Sequence, residues 1–448
     1  MPSQSEKPGY ALAAALLGFF VITLDAVVVN VALPTIGQDL GADMTGLQWI
    51  VDSYTLFFAS LLLTAGALSD RIGAHRAFGW GVAAFMFASL ICGLAPNTTT
   101  LIIARFAQGA GAAIMMPASM ALIRHAYHDP ATRGRAVAYW AMGGSVAATS
   151  GPIIGGLLTS IDWRWIFFIN LPVCLITFVI LRKLAPSAKK RAPLDLWGQG
   201  LAITAMSLLT FAAIEAGELG LSDVKVWNCF LLAALAMVAF VIGQQKASHP
   251  MMPPQLFRVQ NAVIAVVVGF TFMVGYFGLP FVMSLYLQQL RELSPLQTGI
   301  TFLPMMLIGL VLTPFSAKIV ERYSPKRVIF SGLVCMAIGL LSLAALSGEL
   351  STWMIAACMS LVGLGGPLIA PPIAAVLLGS VPSDLAGIAS GVFNTSRQIG
   401  GALAIAIFGA LLAQPFGFLT GLRTSLLLAG LVTVATAVYS LRLQPAAS

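Results

Sequence analysis

Stretches of about twenty continuously apolar residues follow one another along this chain, each the length of a helix that crosses the roughly 30 Å hydrocarbon layer of a bilayer. Fourteen can be read off the 448 residues, from 10–33 and 48–68 through 136–159 and 164–184 to 386–411 and 422–441. None alternates with the period of two that a membrane barrel requires, so the spans are helices. Only 9% of the residues are charged and 58% are hydrophobic, which would leave a soluble fold without a surface. An all-α polytopic membrane protein is expected.

Loop charge orients the spans. With the N-terminus inside, 18 of the 24 Lys and Arg fall on cytoplasmic segments, among them Arg124, Arg133, Arg135 and Lys189–Arg191, and only Arg164, Lys225, Arg291 and Arg423 fall outside. By the positive-inside rule both termini are cytoplasmic in a multi-pass protein of the inner membrane. The formal charge of +8 then reflects topology and implies no nucleic-acid partner. No loop exceeds about 15 residues and no G-x-x-x-x-G-K-S/T phosphate loop occurs, so uphill transport would draw on an ion gradient. The five cysteines are isolated and read as core filler. The four histidines lie in cytoplasmic loops without further ligands nearby, so no metal site is expected. Carboxylates must do any proton work inside the membrane.

A short charged loop occurs twice. GALSDRIGAHR (Gly66–Arg76) and AKIVERYSPKR (Ala317–Arg327) each join two apolar runs, and Asp70 aligns with Glu321, Arg71 with Arg322 and Arg76 with Arg327 at an offset of 251 residues. The first run of each half starts at the same offset. A duplicated helical unit with a basic loop on one side is the plan of a secondary transporter. The halves are 1–184 and 261–448, six spans each, and 185–260 is a linker with two inserted spans, expected to form a peripheral hairpin.

Asp25 lies about eight residues before Pro34, the expected outer end of the first span. An ionised carboxylate there is costly, so it would bind a proton or find a cation, the two states an antiporter exchanges. Arg105, about one turn into the fourth span, is a fixed cation that would tune such a carboxylate. Gly144, Gly151 and Gly155 share one helix face and permit close helix contact, while Pro152 loosens the helix. Gly66 is expected to let spans 2 and 3 approach closely. Asp70 would then face the positive N-terminus of span 13, beyond Pro382 and Asp384, when the cytoplasmic side is shut. Asp52, close to the outer mouth, is a cation-attracting candidate, and Tyr54, Tyr276, Phe281 and Phe393 are candidates for a greasy cargo pocket. Arg397, roughly eleven residues into span 13, needs a partner and is expected either to pair across to the first half or to contact cargo. The segment Gly363–Pro372 must locally break span 12.

GALSDRIGAHR, ARFAQGAGAA (Ala104–Ala113) and GGSVAATSGPIIGG (Gly143–Gly156) resemble the signature loop and spans of the major facilitator superfamily. LDAVVVNVALP (Leu24–Pro34), WIVDSY (Trp49–Tyr54) and WRWIFFINLP (Trp163–Pro172) resemble its fourteen-span drug:proton antiporters of the QacA/EmrB type. The resemblance implies a major facilitator fold of two six-helix bundles plus two inserted helices, fourteen in all. It also implies proton coupling at Arg105 and a pivot between the halves at the Gly144–Gly155 motif. The second loop departs from the pattern, with Glu321 as its acid and Ser324 where the first loop has Gly73.

The expected function is export of small amphiphilic drugs, antibiotics or other toxic compounds by a proton-coupled antiporter working by alternating access. It would act as a monomer in the lipid bilayer, with the proton as coupling ion and no cofactor. A narrow-specificity metabolite exporter of the same fold is the alternative. A polytopic membrane enzyme would need clustered ligands or a nucleophile–base pair, and a receptor an extra soluble domain; neither is visible. Cargo charge stays open, because Asp25 would attract cations while Arg397 argues against a strongly anionic pocket.

Overall fold

The computed structural model describes residues 8–185, 187, 195–247, 250–346, 351–382 and 385–444. Lys189–Arg191 and Asp384 lie outside the described residues. Among the described residues every regular element is helical, because a helix satisfies its backbone N–H and C=O groups internally where no water reaches them. The first half comprises α1 (Pro8–Leu40), α2 (Met44–Ile72), α3 (Ala74–Gly93), α4 (Thr98–Ala126), α5 (Pro130–Ile161), α6 (Trp165–Phe168) and α7 (Asn170–Leu181). The inserted pair is α8 (Leu196–Glu218) and α9 (Val224–Lys246). The second half comprises α10 (Gln260–Leu285), α11 (Pro295–Leu312), α12 (Ser316–Tyr323), α13 (Pro325–Leu346), α14 (Thr352–Gly363), α15 (Gly365–Ser380), α16 (Ala386–Leu412) and α17 (Phe418–Ser440).

Local chemistry sets several helix starts. Asp43, Asn97 and Ser294 accept the backbone N–H of Gly46 (2.7 Å), Thr100 (2.8 Å) and Gln297 (3.2 Å), each capping an N-terminus. Thirteen segments are long and apolar enough to cross a membrane, and the remaining apolar run is the shorter Trp165–Leu181, interrupted at Ile169. The expected break in span 12 falls at Leu364, and both Pro371 and Pro372 continue inside α15. Two expectations of depth are corrected. The first helix runs on through Pro34 to Leu40, so Asp25 sits near the middle of a 33-residue helix. The fourth begins at Thr98, which puts Arg105 about two turns inside it.

The loops Gly66–Arg76 and Ala317–Arg327 share one end of the molecule, here termed the basic face. The halves meet where α2 packs along α16, α5 along α11 and α1 against α10. The inserted pair is more than the expected peripheral hairpin. α9 packs on α8 from outside, but α8 lies against both α2 and α16. Gln199 Nε2 donates to the Ser60 carbonyl at 2.8 Å and Gln199 Oε1 accepts from the Thr64 hydroxyl. At the other end Gln414 Nε2 donates to the Gly217 carbonyl at 3.4 Å. Hydropathy alone conceals this role, because a helix covering a seam is as apolar as one facing lipid.

Candidate functional site

Five helices of the first half converge on Asp25. Arg105 Nη1 of α4 donates to Asp25 Oδ2 in a buried ion pair. Gln108 Nε2, one turn along the same helix, donates to Asp25 Oδ1 at 2.9 Å, and Asn170 Nδ2 of α7 donates to the same oxygen at 2.8 Å. Ser89 of α3 accepts from both amides, at 2.8 Å from Gln108 and 3.3 Å from Asn170. Gln108 Oε1 accepts in turn from Arg105 Nη1 at 2.8 Å and from the Cys92 thiol at 3.4 Å. The guanidinium is held from α2 as well: Nε donates to the Ile50 carbonyl at 3.0 Å, and Cζ lies 4.3 Å from the Tyr54 ring centre. Asp25, Arg105, Gln108, Ser89, Cys92 and Asn170 are all 0% exposed.

Backbone proximity makes this placement possible. A methyl carbon built on Gly109 would fall 2.3 Å from the Tyr54 carbonyl oxygen, so α4 meets α2 with nothing between the backbones, beside Arg105. The pairing predicted for Asp25 and Arg105 is present. Gln108, Asn170 and Ser89 escaped the sequence reading, although the three-residue spacing of Arg105 and Gln108 puts both on one face of α4.

Asp52, expected close to the outer mouth as a cation-attracting candidate, is fully buried, at 0% exposure, and neither carboxylate oxygen has a hydrogen-bond partner among the described residues. Its position on α2 lies angularly between Gln48 and Leu63. Gln48 abuts Gly409 and Leu63 abuts Gly391, both on α16, so Asp52 faces the seam between the halves. The α2 face that carries it packs along α16, and position along α2 did not reveal that.

The motif glycines divide their contacts. Built methyl carbons on Gly144, Gly151 and Gly155 would strike Phe19, Val27 and Val28 of α1, within the same half. The other half is met by their neighbours: the Pro152 carbonyl lies 2.1 Å from a methyl carbon built on Gly299, and one on Gly156 would fall 2.6 Å from the Pro295 carbonyl. Gly66 is a correction, since nothing lies within 4 Å of a methyl carbon there. Both α2 and α3 pack chiefly on α4 and little on each other. Asp70, Arg71 and Arg76 are exposed, as are Glu321 and Arg322. Asp70 makes no ion pair among the described residues, while Gly73 is buried at the turn.

Hydrogen bonds between the halves lie toward the face opposite these loops. Gln48 Nε2 donates to the carbonyls of Ile405 (3.3 Å) and Ala406 (2.6 Å), Gln288 Nε2 to that of Val31 (2.8 Å), and the Thr149 hydroxyl to that of Met306 (3.2 Å). In the second half Phe272 and Phe393 flank Arg397, whose Cζ lies 5.9 and 5.8 Å from their rings, and Tyr276 is stacked on Phe272. Phe281 is fully buried, at 0% exposure, in the same hydrophobic cluster as Phe393. Among the described residues Arg397 makes no ion pair or hydrogen bond with the first half.

A sequence profile described as the Major Facilitator Superfamily matches residues 15–405. The chain is 36% identical over 428 residues to the methylenomycin A resistance protein of Streptomyces coelicolor, covering 94% of this chain and 90% of that protein. It is 36% identical to the multidrug resistance protein Stp of Mycobacterium tuberculosis, covering 90% of this chain and 75% of that one. To the puromycin resistance protein of Streptomyces alboniger it is 35% identical, over 89% and 80% of the two chains. Among solved structures, a D-xylose–proton symporter superposes with a TM-score of 0.70 over 98% of both chains at 14% identity, a likeness of fold alone. With two helical halves meeting along α2–α16 and α5–α11 and a profile match over most of its length, this chain belongs to the major facilitator superfamily.

Proposed function

We propose that the protein exports small amphiphilic toxic compounds across the cytoplasmic membrane in exchange for protons, by alternating access between its two halves. The observation that carries the coupling is the buried Asp25 carboxylate held by Arg105, Gln108 and Asn170. The relatives named for antibiotic and multidrug resistance support export as the direction and toxic compounds as the cargo. The segment Trp165–Leu181 serves as the sixth of fourteen spans, and the basic face is cytoplasmic.

A proton reaching Asp25 competes with Arg105 for the same oxygen. Arg105 already donates to Gln108 and the Ile50 carbonyl, so it keeps partners when Asp25 is neutralised. Asn170 Oδ1 is buried without a partner among the described residues, and a rotated amide offers it to the new carboxylic acid as an acceptor. Both charge states of Asp25 therefore have a hydrogen-bonded arrangement within one half. Every partner named belongs to the first half, so rigid rocking of the halves leaves the network intact. The state of Asp25 must then be transmitted through α1, which packs on α5 and α10.

The test is uphill export in proteoliposomes under an imposed pH gradient, with acidification of the compartment that loses cargo. Export that persists after both pH gradient and potential are dissipated would refute proton coupling. A narrow-specificity exporter is the second reading, favoured by relatives named for single antibiotics. Protection of an efflux-deficient host against one compound of a broad panel would select it.

A further inference from the structure

Arg105 and Arg397 are both arginines deep in helical spans, but among the described residues only the first has a carboxylate partner. Arg397 stands about 16 Å along α16 from its start at Ala386. Its Nη1 has Asn394 Oδ1 at 3.5 Å, the limit of a hydrogen bond, and Nη2 has the Met273 thioether at 3.7 Å. Its Nε is buried with no hydrogen-bond partner among the described residues. Around it stand the rings of Phe272 (5.9 Å) and Phe393 (5.8 Å), with Tyr276 stacked on Phe272 at 4.9 Å. The Tyr276 hydroxyl finds only the Met306 sulfur, at 3.7 Å, among the described residues.

The charge balance around this group is one-sided. Helices α10, α11, α15 and α16 contain no Asp or Glu, and Arg397 is the one charged residue in the four. The two deep acids of the first half are elsewhere. Asp25 is committed to Arg105, and Asp52 faces the Gly391–Gly409 side of α16. Arg397, six residues on from Gly391, is turned about 120° away from that side. Yet Arg397 remains partly accessible in mid-span, so a bound molecule can reach it. A guanidinium held among aromatic and thioether groups, with donors to spare, is a receptor for a flat anion on an apolar body.

We propose that Arg397 binds the anionic group of the cargo, so that amphiphilic carboxylates with a flat apolar body are the favoured substrate class. The carboxylate takes the Nη1 and Nη2 donors, whose present contacts are long, and the Tyr276 hydroxyl donates to its second oxygen. The apolar body lies against Phe272 and Phe393. This rests on the export reading above and reverses the cationic preference that Asp25 alone would suggest.

The test is binding of three isosteric probes to the purified full-length protein in detergent: 2-naphthoate, 2-naphthamide and 2-naphthylmethylammonium, with sodium chloride as an inorganic-anion control. Naphthoate is expected to bind about tenfold or more tightly than the amide, and the ammonium weakest. Arg397→Gln should abolish that order at an unchanged unfolding midpoint, while Arg397→Lys keeps the sign with less preference, since charge survives but the planar fork does not. Equal binding of the three probes to the wild type, no naphthoate binding up to its solubility, competition by chloride alone, or a preference surviving Arg397→Gln would each overturn the proposal. Wild-type measurements decide the matter even if Arg397→Gln does not fold. Cellular protection against a lipophilic cation without naphthoate binding would sink this inference and leave export standing. Naphthoate binding without protection against any compound would do the reverse.

Discussion

Gly73 and Ser324, 251 residues apart in sequence, hold the same unusual backbone, φ 93°, ψ 136° and φ 74°, ψ 148°. The N–H of each donates to the carbonyl four residues before it, Ser69 at 3.0 Å and Val320 at 2.9 Å. The duplication thus survives as geometry where it has faded as sequence. Glycine accepts this conformation freely, whereas a side chain there costs about 1–3 kcal/mol. Ser324→Gly should therefore stabilise the protein by about 1 kcal/mol after the larger unfolded-state freedom of glycine is subtracted. Gly73→Ala should destabilise it. Thermal unfolding in detergent checks both, and a lower midpoint for Ser324→Gly would contradict the strain.

Asp25→Asn leaves Arg105 buried opposite a neutral amide, at a cost of about 3–5 kcal/mol. Uphill export should vanish, while downhill exchange of cargo continues because it needs no proton. Adding Arg105→Gln should recover most of the stability and none of the coupling. Proteoliposome flux with and without a pH gradient separates the two effects. Full gradient-driven export by Asp25→Asn would transfer the proton-carrying role to Asp52.

The contact of Gly299 with the Pro152 carbonyl allows no side chain. Gly299→Ala should hold the face opposite the basic loops apart, shifting the balance of states by about 1–3 kcal/mol, the usual scale of overpacking. In that background Leu296→Cys should react faster with impermeant maleimide, and export should slow. Gly66→Ala meets open space and should stay within about 0.5 kcal/mol of wild type. Equal effects from both substitutions would show that the closure does not depend on this contact.

Arg76 and Ser222 are both exposed, at opposite ends of the molecule. An impermeant thiol reagent applied to intact cells should label Ser222→Cys and spare Arg76→Cys. The reverse pattern would invert the topology. Ala74, beside the same turn, is buried and would make a poor reporter.

Charge was the legible signal. A carboxylate and a guanidinium inside apolar runs announce themselves, and Asp25 and Arg105 do meet. Gln108 and Asn170 carry no charge, so composition passes over them although they complete the shell of Asp25. Asp52 shows a second limit. Position along a helix gives depth in the bilayer, but burial depends on the neighbouring helix, and only the packing of α16 on α2 supplies that. The same gap concealed α8, whose contacts with both halves leave no trace in hydropathy. Gly66 misled in the opposite direction, because a glycine in a turn implies close approach only where another backbone arrives.

Gln48, Thr149 and Gln288 reach across the seam to carbonyl oxygens of Ile405, Ala406, Met306 and Val31. A main-chain acceptor is present whatever side chain its residue bears. The accepting positions are therefore free to drift over generations without unfastening the two halves, so long as the helix keeps its path. Only the donors are under constraint. An exporter built this way can remodel the walls of its cargo cavity under pressure from new toxins while its closure remains where ancestry left it.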